Sequence, residues 1–227
     1  MLAGSLALAA CTSLPRTPYT AADASTSRVL DIDGLRRYAD EPVTRFGFEQ
    51  DKTTTSGNYL ALSGGGADGA YGVGVLNGWS AAGTRPAFSV VSGVSTGALI
   101  APFAFLGPAY DPTLKEMYTS GLASSFAASP NALGAVFGSA LFDKQPLRDA
   151  ISRYATAELL EAIAKEHAKG RRLFVVTTDL DAGRPVLWNM GEIASARTPQ
   201  ALALFRQVLT ASASVPVAFP PSLIAAS

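Results

Sequence analysis

The 227-residue sequence contains one histidine and one cysteine, and its 18 basic and 18 acidic side chains make up only 16% of the chain. A single cysteine forms no disulfide within the chain, and one cysteine with one histidine cannot build a Cys/His zinc cluster. A cysteine–histidine hydrolase would have to join Cys11 to His167, which stand in an apolar N-terminal run and a charged, solvated helix end. Zero net charge offers no basic face to nucleic acid. Nothing in the inventory implies a metal or a cofactor.

What the chain does have is 48% hydrophobic residues and 21 glycines, over a length that suits one α/β domain. Met1 to Ala10 is apolar and uncharged, too short to span a bilayer, and leads directly into Cys11. Leu8-Ala9-Ala10-Cys11 resembles the lipobox of bacterial lipoproteins, although no Lys or Arg precedes it. That resemblance implies a signal peptide over 1–11, acylation of Cys11, and a membrane-anchored place in the bacterial cell envelope. Residues 12–57 follow as a Thr/Ser/Ala/Pro tether and an N-terminal extension, whose charged part from Asp31 to Lys52 packs along the domain edge. The folded domain is expected over 58–227.

Within it, Tyr59 to Ser63 reads as a buried strand running into Gly64-Gly65-Gly66, with a helix from Ala67 to Ala82. Ala87 to Val91 reads as a second strand, followed by the turn Gly93-Val94-Ser95-Thr96-Gly97. A helix from Ala98 to Phe105 comes next, kinked or shortened by Pro102. Pro146 to Lys169 reads as helical, and Arg172 to Thr178 as a third strand, hairpin-paired with Val186 to Trp188. This alternation predicts an α/β fold with helices on both faces of the sheet. Met117 to Phe142 carries no charge and is rich in Gly, Ala, Ser and Phe; it is either a lid or acyl-chain contact near the site, or a buried helix and loop pair.

Gly93-x-Ser95-x-Gly97 between a strand and a helix is the pattern of a nucleophile elbow, a strained turn that tolerates no bulk two residues either side of the serine. Three consecutive glycines after the preceding strand let backbone N–H groups converge on a developing oxyanion. Gly64-x-Gly66-x-x-Gly69 also satisfies a dinucleotide fingerprint. That reading needs a carboxylate at the end of the next strand, which closes instead with Val90-Val91-Ser92.

The two glycine motifs together resemble those of the patatin-like phospholipase family. Leu141-Phe142-Asp143, the strand and turn from Thr177 to Gly183, Ala211 to Pro216 and Phe219-Pro220-Pro221 agree with it. The resemblance implies a three-layer α/β/α fold around a mostly parallel sheet. It implies a serine acyl hydrolase of the lipase or phospholipase A type, acting on lipid esters, with Ser95 as nucleophile. Gly64, Gly65 and Gly66 would form the oxyanion hole, and Gly93 and Gly97 would flank the elbow. The family pairs its serine with an aspartate in an Asp-Gly-Gly or Asp-Gly-Ala motif after the Pro-Pro stretch. The Asp-Gly pairs here are Asp33-Gly34 and Asp68-Gly69, neither in that position. Asp68 also replaces the family's usual Arg or Lys. The expectation is a domain cut before its last catalytic strand, with the dyad aspartate beyond residue 227. The alternative is a non-catalytic lipid-binding or scaffold lipoprotein. Asp179, Asp181 and His167 are read as turn and helix-end residues, and Trp79 and Trp188 as packing residues.

Overall fold

The computed structural model describes residues 27–42, 44, 57–120, 144–215 and 219–224. Cys11, most of the 12–57 segment, the uncharged stretch beyond Ser120, Leu141-Phe142-Asp143 and Pro216 lie outside the described residues.

The five strands are β1 (Arg36–Tyr38), β2 (Asn58–Leu62), β3 (Phe88–Val94), β4 (Arg172–Asp179) and β5 (Arg184–Asn189). They form one sheet in the order β1-β5-β4-β3-β2. β2, β3 and β4 pair in parallel, while β5 is antiparallel to both β4 and β1. Four of the five strands therefore share a direction, and helices flank this mixed, mostly parallel sheet. Leu173, Phe174 and Val175 of β4 are buried in succession, as in a central strand covered on both faces. β2, an edge strand, has no buried residue. Leu62 pairs with Gly93, and Val94 pairs with Val176, so β2 and β3 end level and deliver both glycine turns to one edge of the sheet.

The helices are α1 (Gly69–Ala81), α2 (Thr96–Leu106), α3 (Asp111–Thr119), α4 (Gln145–Tyr154), α5 (Ala157–Ala168), α6 (Met190–Ser195) and α7 (Pro199–Ala213). α2 is the core helix, buried from Thr96 to Phe105. Pro102 sits inside it without ending it, because packing on every side holds the turn whose hydrogen bond the proline forfeits. The core is filled by large side chains such as Phe105, Leu114, Leu147, Ile163, Leu173 and Phe205. Among the described residues no helix is long and apolar enough to cross a membrane.

Four expectations shift. The strand expected to be buried, Tyr59 to Ser63, is the edge strand β2, with no buried residue. β3 runs on to Val94, so the serine turn follows the strand without an intervening loop. The helix expected from Pro146 to Lys169 is two helices. Thr156 turns extended and caps α5, its hydroxyl accepting the Leu159 N–H at 3.3 Å. Arg206 of α7 donates to the Ser152 and Ala155 carbonyls at the end of α4, at 3.1 and 2.9 Å. His167 is not solvated: its side chain is 12% exposed, and its Nε2 lies 3.0 Å from Glu192 Oε2. The short helix α6 brings that glutamate from 25 residues away.

Residues along the domain edge supply β1, which pairs with β5. Trp188 is buried, with its indole N–H donating to Thr177 Oγ1 at 2.8 Å. Trp79 packs edge-on against Phe88 and stays half-exposed. The segment from Phe219 to Ile224 is tied down by Lys144, whose Nζ donates to the Pro221 carbonyl at 2.8 Å and Ser222 Oγ at 3.1 Å. Burial, aided by the nearby Arg148 charge, lowers the pKa of that ammonium to about 8.

Candidate active site

β3 passes straight into Ser95, and α2 begins at the next residue. Ser95 has φ 56° and ψ −124°, a conformation that side-chain-bearing residues rarely adopt. Such backbone strain costs about 1–3 kcal/mol and persists only where its surroundings over-determine it. Here they do. A Cβ on Gly93 would lie 2.3 Å from the Gly97 carbonyl oxygen, and one on Gly97 would lie 2.3 Å from that of Leu62. The elbow backbone is thus packed against itself and against the end of β2, with no room for a methyl group.

Hydrogen bonds complete the enclosure. The Ala98 N–H donates to the Ser95 carbonyl at 2.9 Å. The Ser95 N–H donates to Ser212 Oγ at 2.9 Å, and that hydroxyl donates to the Val176 carbonyl at 2.6 Å. Thr96 Oγ1 and Tyr118 Oη are 2.7 Å apart in the interior, tying the first turn of α2 to α3. Burial raises the Tyr118 pKa, opposed by its bond to Thr96.

The first glycine turn stands directly against the serine. A Cβ on Gly64 would lie 3.1 Å from Ser95 Cβ and 3.7 Å from Ser95 Oγ. Gly66, at φ 55°, then turns the chain into a single 3₁₀ turn, Gly66–Asp68, with Asp68 N–H donating to the Gly65 carbonyl at 3.0 Å. Among the described residues no protein acceptor takes the Gly65 or Gly66 amide. Gly64 and Gly65 are exposed and Ser95 is half-buried, so solvent reaches the place where the two turns meet.

α2 points its N-terminus at this place, with no acidic residue in its first turn. At its other end, Arg85 donates to the Ala104 carbonyl at 3.0 Å, and Arg171 donates to the Phe105 carbonyl. Arg85 also pairs with Asp111 at 2.7 Å, both side chains largely buried. The guanidinium of Arg171 stacks 4.4 Å over the Phe105 ring and bonds Glu166 at 2.8 Å.

The other ionisable candidates are elsewhere. Asp179 accepts from the Tyr38 hydroxyl at 3.0 Å and from the Asp181 and Ala182 amides at 3.0 and 3.1 Å, which makes it the residue shaping the β4–β5 turn. Asp181 is exposed on that turn. His167 precedes β4, whereas Ser95 follows the Val94–Val176 pair. Four residues of strand, on the order of 13 Å, separate those levels of the sheet. Among the described residues Ser95 Oγ has no hydrogen-bonded carboxylate or imidazole, and no three His, Cys, Asp or Glu side chains cluster as metal ligands. Ser212 is the contact that the sequence reading missed. Its motif is visible in the sequence, but no local pattern ties it to a serine 117 residues away.

A sheet of this order, with the Ser95 turn and a glycine turn side by side at its edge, defines an α/β protein built on a mostly parallel sheet flanked by helices. The model of the patatin-like phospholipase family matches residues 60–226, and the chain belongs to that family. No curated protein sequence matches it. Five solved chains do, among them VipD from Legionella pneumophila, with a TM-score of 0.45 and 14% identity. The match covers 75% of this chain and 47% of VipD, so the chain spans about half the length of that relative.

Proposed function

We propose that this protein is a serine acyl hydrolase acting on carboxylic esters of lipids. The observation that carries the reading is the meeting of the strained Ser95 with Gly64, beside the unclaimed Gly65 and Gly66 amides. In this reading Ser95 Oγ attacks the acyl carbonyl carbon while a base takes its proton. The carbonyl electron pair moves onto oxygen, where the glycine-turn amides and the N-terminus of α2 stabilise it. Collapse expels the alcohol, which takes up the proton, and water then releases the fatty acid from the acyl-enzyme. One oxyanion donor of this kind is worth about 10²–10³ in rate.

The base in our reading is an aspartate outside the described residues, in the Asp-Gly motif that the family resemblance implies after the Phe219-Pro220-Pro221 stretch. Reaction of the full-length protein with a fluorophosphonate probe is the test. Labelling is expected at Ser95 and not in Ser95→Ala; no labelling, or equal labelling of the two, overturns the reading. Acylation of Cys11 is proposed on its own motif. Incorporation of labelled palmitate by cells expressing the protein, lost in Cys11→Ser, would support it, and retention in Cys11→Ser would refute it.

A further inference from the structure

The motif Ala211-Ser212-Ala213-Ser214 ends α7 and has no task in the reaction just described. Ser212 nevertheless reaches the elbow. It accepts the Ser95 N–H at 2.9 Å and gives its own hydrogen to the Val176 carbonyl at 2.6 Å. The last residue pair of the β3–β4 ladder is Val94 with Val176, and at Ser95 the positive φ turns the chain out of the strand. The hydroxyl therefore joins the end of β3 to β4 at the point where these two backbones no longer pair directly. Its proton is committed to Val176, so it is not placed to serve as a base toward Ser95.

We propose that Ser212 is a positioning residue that fixes the backbone of the nucleophile elbow, and with it the direction of the Ser95 side chain. The inference rests on the reading of Ser95 as nucleophile. In it, α7 sets the geometry of a site to which it contributes no reacting atom. The link spans three elements far apart in sequence, since Ser95 and Val176 lie 117 and 36 residues from Ser212.

The test compares full-length wild type, Ser212→Ala and Ser212→Thr, with Ser95→Ala as blank. Fluorophosphonate labelling is followed to saturation, so that the maximal rate is separated from the half-saturating concentration. Ser212→Ala is expected to lower the maximal rate at least tenfold, about 1.4 kcal/mol, with the half-saturating concentration within twofold of wild type. Ser212→Thr, which keeps the hydroxyl, is expected to restore most of the rate. Labelling of Ser212→Ala at the wild-type rate, or a loss that threonine does not mend, overturns the proposal.

Amide hydrogen exchange by NMR reads the same contact without any reaction. The Ser95 amide is expected to lose at least tenfold protection in Ser212→Ala while Val91 in β3 keeps its own; undiminished protection at Ser95 overturns the proposal. If Ser212→Ala does not fold, Ser212→Cys carries the same expectations, because a thiol is a weak donor and acceptor. A wild type that never labels sinks the hydrolase reading alone, and the exchange measurement still decides the role of Ser212.

Discussion

At Gly97 an added Cβ would lie 2.3 Å from the Leu62 carbonyl oxygen, whereas at Gly66 it would meet nothing within 4 Å. Both residues belong to glycine turns at the same edge of the sheet, yet the physical demand differs. The serine turn needs glycine because two stretches of backbone touch. The first turn needs it because the chain must bend through a positive φ, in open space. One turn is closed and holds Ser95; the other is open and faces it.

Substitutions that separate crowding from conformation test this contrast. Gly97→Ala faces backbone atoms that cannot move aside, and is expected to cost about 3 kcal/mol or more, or to prevent folding. Urea unfolding measures it, and a mild loss would mean that the elbow can relax. Gly64→Ala is expected to act on reactivity: its Cβ would crowd Ser95 Cβ at 3.1 Å, tilting the side chain. A shift of a few tenths of an ångström is expected to cost roughly several-fold in rate, short of the about hundredfold loss of a ~1 Å misplacement, read as fluorophosphonate labelling with the melting temperature nearly kept. Gly66→Ala has space but the wrong φ, and an expected cost of about 1–2 kcal/mol. A cost like that of Gly97→Ala would erase the distinction. Gly74→Ala in α1 also has open space, now with a helical backbone, and is expected to stabilise the protein by about 0.5–1 kcal/mol.

The parts of this architecture legible in the sequence are those written locally. Apolar runs ending in glycine gave away β2 and β3, and the turn residues at 181–184 marked the β4–β5 hairpin. The break at Thr156 was legible too, since a threonine followed by Glu158 and an apolar run is a helix start. The helical period of the flanking residues runs across it and masks the break. Pro102 misled in the other direction, because its local cost is overridden by complete burial of α2. His167 and Ser212 were not legible in their roles. Their partners, Glu192, Ser95 and Val176, come from other elements, and only the folded topology brings them together.

Arg85 and Arg171, at the end of α2 remote from Ser95, have a consequence for how the site responds to acidity. Guanidinium groups keep their charge across the whole range in which proteins stay folded. They hold the carbonyl end of α2, and no carboxylate in its first turn offsets the amide end. No titratable side chain stands in that first turn, so the amide end of α2 presents the same partial charge to Ser95 from acid to alkaline pH. In the acyl transfer proposed at Ser95, the pH–rate profile is then expected to have a single limb belonging to the base, with no second limb from the helix end.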